Sequence, residues 1–383
     1  MATGGQDTAD RHRYSKRSAR WLCSRRFHQI RARQRRRGRV SDRCADGWLA
    51  VNANLTVLVS GRAAITDLGR FGSAHLGIPS NGASDQYSAR VANILVGNVD
   101  SAPLIQITAA DFSFRTDVPI LLAVTGAPAR LFVDGVEVPS WSPVCVPASV
   151  RVDLRMSGFG MHAYLAVKGV MSTEFFRGSC APDSLLALGR SLQPGGSIEI
   201  ESDYRPFVHP YLPQPLFAFS PHIPIFAHVW NLDVLTGPEA GQFGDSINEL
   251  TESSFTVDAR SDHVGTRLDG PTFKRSIRTE ILSRGVPLGA IEVPPSGALI
   301  ALQRGRPITA GYPVIAVVAR ASRDALGQLR PGDSVQFRFV TRASALEKND
   351  AVHSRLDTLR QRVSLAFDSV GMTFGTTKES VQL

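Results

Sequence analysis

Between residues 55 and 202 apolar and polar residues alternate in short runs: LTVLVSG, APLIQIT, DFSFRT, PILLAVTG, ARLFVDGVEV, SVRVDLR, HAYLAVKG and SIEIES. Runs of this length, rich in β-branched residues and divided by Gly, Pro, Asn and Asp, predict strands. Asp134-Gly135, between LFV and VEV, predicts a tight hairpin. One segment breaks the pattern. In SDQYSARVANILVG, residues 84–97, Tyr87, Val91, Ile94 and Leu95 recur at helical spacing, with Ser84 placed to cap the start and Gly97 to end it. The expectation for this half is a β-barrel with one helix.

Residues 203–229 are dense in proline and aromatic residues and read as a linker. A second β-rich set follows in WNLDVLTG, SSFTVDA, GALIALQ, YPVIAVVA and DSVQFRFV, with ELTESS and SRDALGQL as short helical pieces and LRPGDSV (329–335) as a turn into the last strand. Beyond residue 343, Val352, Leu356, Leu359 and Val363 mark an amphipathic helix, and the final GMTFGTTKESVQL is expected to be loose. The predicted organisation is a leader (1–50), a first β-rich subdomain (51–202), a linker (203–229), a second β-rich subdomain (230–342), and a helix with a tail (343–383).

Charge sharpens the leader's boundary. The 383-residue chain carries a formal +9, but residues 1–50 hold 14 Lys and Arg against four Asp, or +10, which leaves −1 for everything after. A near-neutral folded part offers no basic surface for nucleic acid. The leader itself has too few apolar residues to build a core and is expected to be disordered. It reads as a basic arm, as an Arg-rich transit segment, or as translated sequence upstream of a start at Val51, since valine is how a GTG start codon reads internally. No apolar run reaches the roughly 18 residues of a membrane span. Of the four cysteines, Cys23 and Cys44 lie in the leader, and Cys145 and Cys180 have no metal-ligand spacing. This fits a reducing cytoplasm and no metal site in the chain.

The chemistry-bearing residues sit in glycine-rich turns. A proline, a serine and a Gly-Ala pair occur together twice, in GIPSNGASD (77–85) and VPPSGA (293–298). Gly82 and Gly297 permit a positive φ and close backbone approach, and the two copies suggest duplicated subdomains that use one loop twice. TDLGRFG (66–72) supplies Asp67 and Arg70, and the first proline-glycine loop supplies Ser80, Asn81 and Asp85. SDHVGTRLDG (261–270) supplies Asp262 and Arg267, and RPITAGYP (306–313) supplies Arg306, Thr309, Gly311 and Tyr312. Each turn alone reads as turn chemistry, but their number across both halves points to one shared polar cleft. GxxxxGK[ST], HExxH, paired CxxC and GxSxG are all missing from the sequence, so a P-loop, a zincin site and a serine-hydrolase elbow are excluded.

DLGRFG, GIPSNGASD, ANILVGN, TGA at 125–127, YLAVKG, SDHVGTRLDG, EILSRGVPLGAIEVPPSGALI, TAGYPVIAVV and LRPGD occur in this order over residues 55–340. In this the chain resembles the biotin-dependent carboxyltransferase A/B-type family. That family takes in the C subunit of 5-oxoprolinase, the allophanate-hydrolase-subunit-2-like proteins and the carboxyltransferase region of urea carboxylase. The resemblance implies a mainly β fold of two cyclophilin-like β-barrel subdomains in tandem, with few short helices. This chain departs from the family pattern at Gln106, where an acid is usual. It departs also at Gly305, Pro307 and Ile308 in the Tyr312 block, and at His263 and Thr266.

By resemblance the activity is that of the C subunit of a bacterial ATP-dependent 5-oxoprolinase, which opens a lactam to L-glutamate. Asp85, Arg306 and Tyr312 are then the catalytic candidates. Asp67, Arg70, Ser80, Asn81, Gly82, Asp262, Arg267, Ser296, Gly297, Thr309 and Gly311 are the candidates for substrate or nucleotide binding. Arginines and backbone N–H groups suit a phosphoryl oxygen and a developing oxyanion. The implied cofactor is ATP with Mg, and the implied partners are a B-type, allophanate-hydrolase-subunit-1-like subunit and a lactam-hydrolase-like A subunit. A second reading is carboxyl transfer from carboxybiotin to urea or a related amide. Since no Met-Lys-Met biotinyl site occurs, the biotin would arrive on another chain. A third is a non-enzymatic, Kip-type regulatory binding partner.

Overall fold

The computed structural model describes residues 51–189, 191–206, 217–276, 280–372 and 374–375. The basic leader and residues 376–383 of the tail lie outside the described residues. The fold is mainly β, with few helices and a long helix at the C-terminal end.

The strands of the first half form two antiparallel sheets. The larger has seven strands in the order Val170–Met171, Ser197–Ser202, Val51–Val59, Phe112–Thr116, Arg151–Met156, Ala129–Val133 and Val136–Val138. The smaller has five, in the order Ala63–Thr66, Leu104–Thr108, His162–Val167, Ile120–Gly126 and Val144–Val146. The Asp134-Gly135 hairpin forms as expected, with φ of 50° and 76° at the two residues, the left-handed pair that a two-residue turn demands. The second half closes completely. Its barrel runs Val229–Thr236, Val314–Val318, Ala290–Glu292, Leu299–Leu302, Gly265–Asp269, Phe255–Val257 and Ser334–Phe339. The first and last of these pair in parallel, from Val229 opposite Ser334 to Val234 opposite Phe339. Trp230, Leu232, Phe255, Ile291, Ile315 and Phe337 fill its interior.

The helix of the first half is Gln86–Leu95, and it is buried nearly all round. One side packs on Leu121, Ala123, Tyr164 and Ala166 of the smaller sheet. The other packs on Leu356, Leu359, Val363 and Phe367 of the C-terminal helix, Arg342–Asp368. The cap falls one residue later than the sequence suggests. Asp85, not Ser84, is the N-cap, and its Oδ1 accepts from the Ser88 backbone N–H at 2.9 Å. Ser84 is held elsewhere, its N–H donating to Gln106 Oε1 at 3.2 Å. Gly97 follows the helix at φ 74° and ends it as expected. Within the proline-aromatic segment, residues 217–228 are irregular but packed. Phe219 is buried, the Phe217 ring lies 5.5 Å from that of Phe367, and Phe226 meets Trp230 edge-on at 6.1 Å.

A polar seam joins the halves beside the Asp85 cap. Gln328 Nε2 donates to Asp85 Oδ2 at 2.8 Å and to the His162 carbonyl at 2.9 Å. Its Oε1 accepts from the Met161 and His162 N–H groups at 2.9 and 2.8 Å. The Gln86 N–H donates to Asp324 Oδ1 at 2.8 Å, and the Asn81 N–H donates to the Arg304 carbonyl at 3.3 Å.

Candidate functional site

Two glycine loops meet backbone to backbone to make one wall of the site. The Arg70 N–H donates to the Ser80 carbonyl and the Ala83 N–H to the Asp67 carbonyl, both at 2.8 Å. Contacts this close leave no room for side chains. A Cβ on Gly82 (φ 88°) would stand 2.5 Å from Leu68 and Gly69 backbone atoms, and one on Gly69 (φ 104°) 2.6 Å from the Ser80 and Asn81 carbonyls. Asp67 ties a third loop to this pair. Its Oδ1 accepts from Ser179 Oγ at 2.6 Å and from the Gly69 N–H at 2.8 Å, and its Oδ2 from the Cys180 N–H at 2.8 Å. Asn81, at φ 48°, donates from Nδ2 to Asp183 Oδ2 at 2.7 Å. Asp67, Asn81 and Gly82 thus build the wall. Arg70 projects from it with its side chain 1% exposed, its Nη2 donating to the Ala181 carbonyl and its Nη1 3.7 Å from Asp183 Oδ2. Its Nε and Nη1 are buried without a hydrogen-bond acceptor, and Asp183 supplies the one carboxylate within ion-pair distance, at a cost in desolvation that the pairing offsets only in part.

Arg70 and Ser80 face a cleft of about 550 Å³ between the first half, the barrel and the C-terminal helix. The net charge of the folded part predicts no basic surface, but it averages over the molecule: six arginines line this cleft, Arg70, Arg90, Arg304, Arg306, Arg320 and Arg323, against one carboxylate, Asp324. Arg90 pairs with Asp100 at 3.6 Å and Arg304 with Asp324 at 3.8 Å. Arg306 Nε donates to the Val286 carbonyl at 3.1 Å, and Arg323 Nε to the Val318 carbonyl at 3.3 Å. Burial lowers the pKa of Arg304 and of Arg306, and Arg304 adds to the effect on Arg306. Burial and the neighbouring Arg304, Arg320 and Arg306 push Arg323 down to about 10. Cations gathered this tightly destabilise the fold, and a multiply charged anion relieves them.

Asp85 stands behind the wall rather than in the cleft. It is 2% exposed, and its carboxylate accepts from Ser88 and Gln328. Burial, with Asp324 adding to it, raises its pKa to about 7. The other candidates lie away from the cleft. Asp262 Oδ1 accepts from the Val264 and Gly265 N–H groups at 2.8 and 3.0 Å, closing its own turn, and Arg267 is exposed on the barrel wall. Thr309 and Gly311 are exposed, and Tyr312 is 44% exposed. The second proline-glycine loop packs on neighbouring backbone. The Gly297 carbonyl accepts from the Phe273 N–H at 2.9 Å, and Ser296 Oγ from the Ala298 N–H at 3.4 Å. The two copies of the loop therefore have different neighbours, the first contacting Arg304 and the cleft. Near the second loop, Glu292 is 3% exposed and its Oε1 has no hydrogen-bond partner. Burial lifts its pKa to about 7 although Arg284 pulls the other way.

Arg90, Arg304, Arg320 and Arg323 carry most of the cleft's charge, and no motif singles them out. One signal was available. Arg320, just before the short helical piece SRDALGQL, and Arg323 within it stand three apart, a spacing that puts both on one face where the chain is helical. Among the described residues no group of three His, Cys, Asp or Glu side chains is placed to hold a metal ion, and no helix is long and apolar enough to cross a membrane.

The model of one protein family, the carboxyltransferase domain, subdomains A and B, matches residues 76–339. The chain belongs to that family. Within it, the chain is 29% identical over 315 residues to the C subunit of 5-oxoprolinase from Haemophilus influenzae, a match that spans 80% of this chain and 97% of that protein. It is 29% identical over 315 residues to urea amidolyase of Saccharomyces cerevisiae, covering 77% of this chain but only 17% of that one. Among solved structures, the Kluyveromyces lactis urea amidolyase shares the fold, with a TM-score of 0.71 and 24% identity over 80% of this chain and 20% of that chain. The carboxyltransferase domain thus occurs both nearly alone and inside a much longer polypeptide.

Proposed function

We propose that this carboxyltransferase-family chain is the C subunit of an ATP-dependent 5-oxoprolinase and that the arginine cleft holds the anionic groups of the reaction. The observation that carries this reading is the match along 97% of a 5-oxoprolinase C subunit. The charge of the cleft supports it. A lactam carbonyl is a poor electrophile. Transfer of the γ-phosphoryl group of ATP to the lactam oxygen forms one O–P bond and breaks another, releasing ADP and leaving a carbon open to water. The substrate carboxylate and the phosphoryl oxygens both need fixed cationic donors. Arg306 and Arg70 are assigned to these oxygens, Ser80 to hydrogen bonding beside them, and Asp85 to positioning through the helix it caps. Mg does not fit the cleft's own residues. The single carboxylate, Asp324, is already held by Arg304 and the Gln86 N–H, so no step is assigned to the metal here.

Carboxyl transfer is the second reading, favoured by the match to urea amidolyase. It would use the same cleft, with biotin carried on another chain. The test is a reconstituted complex with the B-type and A subunits. The complex should hydrolyse ATP in response to 5-oxoproline, and the isolated chain should not. Arg306→Ala should lower that activity by about 100-fold, the order seen when one transition-state donor is lost. It should shift the melting temperature by only a few degrees, since one hydrogen bond of a half-buried side chain contributes about 1 kcal/mol. A complex with no response to 5-oxoproline would overturn the reading.

A further inference from the structure

Glu292 faces away from the barrel interior, yet it is buried. Ile291 and Val293 on either side of it belong to the barrel core, so the alternation of an extended chain turns Glu292 outward. Its Oε1 has no hydrogen-bond partner. A short ribbon covers it. Arg284 and Gly285 pair with Ala310 and Thr309. Val286 and Ala310 of the ribbon share one apolar cluster with Val314 and Ile300, the residues opposite Glu292 on its two neighbouring strands. One side chain anchors this cover to the barrel by charge. Arg284 Nη1 and Nη2 donate to the two carboxylate oxygens of Glu239 at 2.8 and 2.5 Å, and Glu239 Oε2 also accepts from the Val314 N–H at 2.9 Å. Arg284 is the charged group that faces Glu292. Arg275 acts on Glu239 behind it, and the flanking strands present only Ile300 and Val314.

The same ribbon runs on into the arginine cleft. The Val286 N–H donates to the Ile308 carbonyl at 3.0 Å, and the Val286 carbonyl accepts from Arg306 Nε at 3.1 Å. Pro287, Leu288, Arg306 and Ile308 line the cleft. We propose that Glu292 is a proton-operated latch: protonated, it lets the ribbon of residues 284–288 and 306–310 lie closed on the barrel, and ionised, it lifts the ribbon and carries Arg306 out of its place in the cleft. The ionised group cannot stay as it is. Its surroundings are apolar, and the guanidinium that faces it is already held by both oxygens of Glu239, so the added negative charge has no cation of its own and must take up water. Two paired residues per strand oppose that entry. The effect on Arg306 rests on the reading of the cleft as the anion site, whereas the movement of the ribbon does not. The sign follows from the folded value. The closed ribbon holds the carboxyl at about 7 and an open one returns it to its ordinary 4.5, so closure is firm below pH 4.5 and is lost progressively as pH rises to 7.

Amide hydrogen exchange of the full chain tests the latch directly. Protection of the Val286 and Ala310 amides, corrected for the intrinsic pH dependence of exchange, should fall about 40-fold from pH 5 to pH 7 in wild type, the linkage expected for one carboxyl moving between these two pKa values. Glu292→Gln, which cannot ionise, should show no such fall. Every other titrating group is common to the two proteins, so the difference belongs to Glu292. Glu239→Gln is the second variant, and it serves also if the first fails to fold. It leaves Arg284 to Glu292 alone and should move the fall to lower pH. Parallel profiles in wild type and Glu292→Gln, or an unmoved profile in Glu239→Gln, would overturn the latch. Titration with inorganic sulfate, whose charge is constant over this range, reads the cleft. Wild type should lose affinity from pH 5 to pH 7 relative to Glu292→Gln, and equal affinity of the two at pH 7 would overturn the link to Arg306. A ribbon that loosens as described in a chain that binds no sulfate at either pH would uphold the latch and refute the anion reading of the cleft.

Discussion

Gly82→Ala tests whether the first proline-glycine loop is built for a ligand or for the loop behind it. At φ 88° an alanine is held in the left-handed region, and its Cβ would stand 2.5 Å from the Gly69 nitrogen and the Leu68 carbonyl. The conformational term costs about 1–2 kcal/mol and the overpacking about 1–3 kcal/mol. Gly72 is the control within the same wall, since it has φ 81° but nothing within 4 Å of the added carbon, so Gly72→Ala bears the conformational term alone. At about 2 °C per kcal/mol for a body of this size, Gly82→Ala should melt about 4–10 °C below wild type and Gly72→Ala only about 2–4 °C below. Scanning calorimetry of the three proteins decides the matter. Gly82→Ala should also lose anion binding at the cleft, because the loops can separate only by moving Ser80 away from Arg70. Equal melting of the two variants would refute the reasoning and return Gly82 to the ligand.

Two further predictions concern buried carboxyls. Asp85 titrates near 7 in the folded chain against an ordinary 3.8, so the native state keeps a proton that the unfolded chain has lost, and stability falls as pH rises from about 4 to about 7. Urea unfolding at several pH values should show that decline in wild type and a flatter profile in Asp85→Asn; parallel profiles would contradict it. Glu292 follows the same sign, with a folded pKa of about 7 and an unpartnered Oε1. Glu292→Gln should raise the melting temperature at pH 8 more than at pH 5, and a lower melting temperature at pH 8 would show that the charge has a partner of its own.

Local pattern carried the strands, the Asp134-Gly135 turn, the buried face of Gln86–Leu95 and the apolar stripe of the C-terminal helix, because each depends on residues a few positions apart. Glycine at 82 was legible as permitting a positive φ, but not what it faces, since the Leu68 and Gly69 backbone it meets lies 14 and 13 residues earlier in the chain. The cleft was legible in Arg70, Ser80 and Arg306 only. Its remaining arginines come from a helix and from short turns without a recurring motif, and they converge through the tertiary fold. Asp262, Arg267 and Tyr312 look the same in sequence as Arg70 does. What separates them is burial, and a turn motif does not encode burial.

The Gln328 amide has a mechanical consequence. The whole group is committed across the seam, its N–H groups to Asp85 and His162 and its oxygen to the N–H groups of Met161 and His162. Rotating one half against the other would break four polar contacts at once, one of them fully buried and three partly so, a cost that such groups seldom bear. Among the described residues, this one side chain therefore acts as a brace: it pins the barrel to the loop before His162 and to the helix cap at Asp85, and so fixes the spacing of the two walls of the cleft at that point.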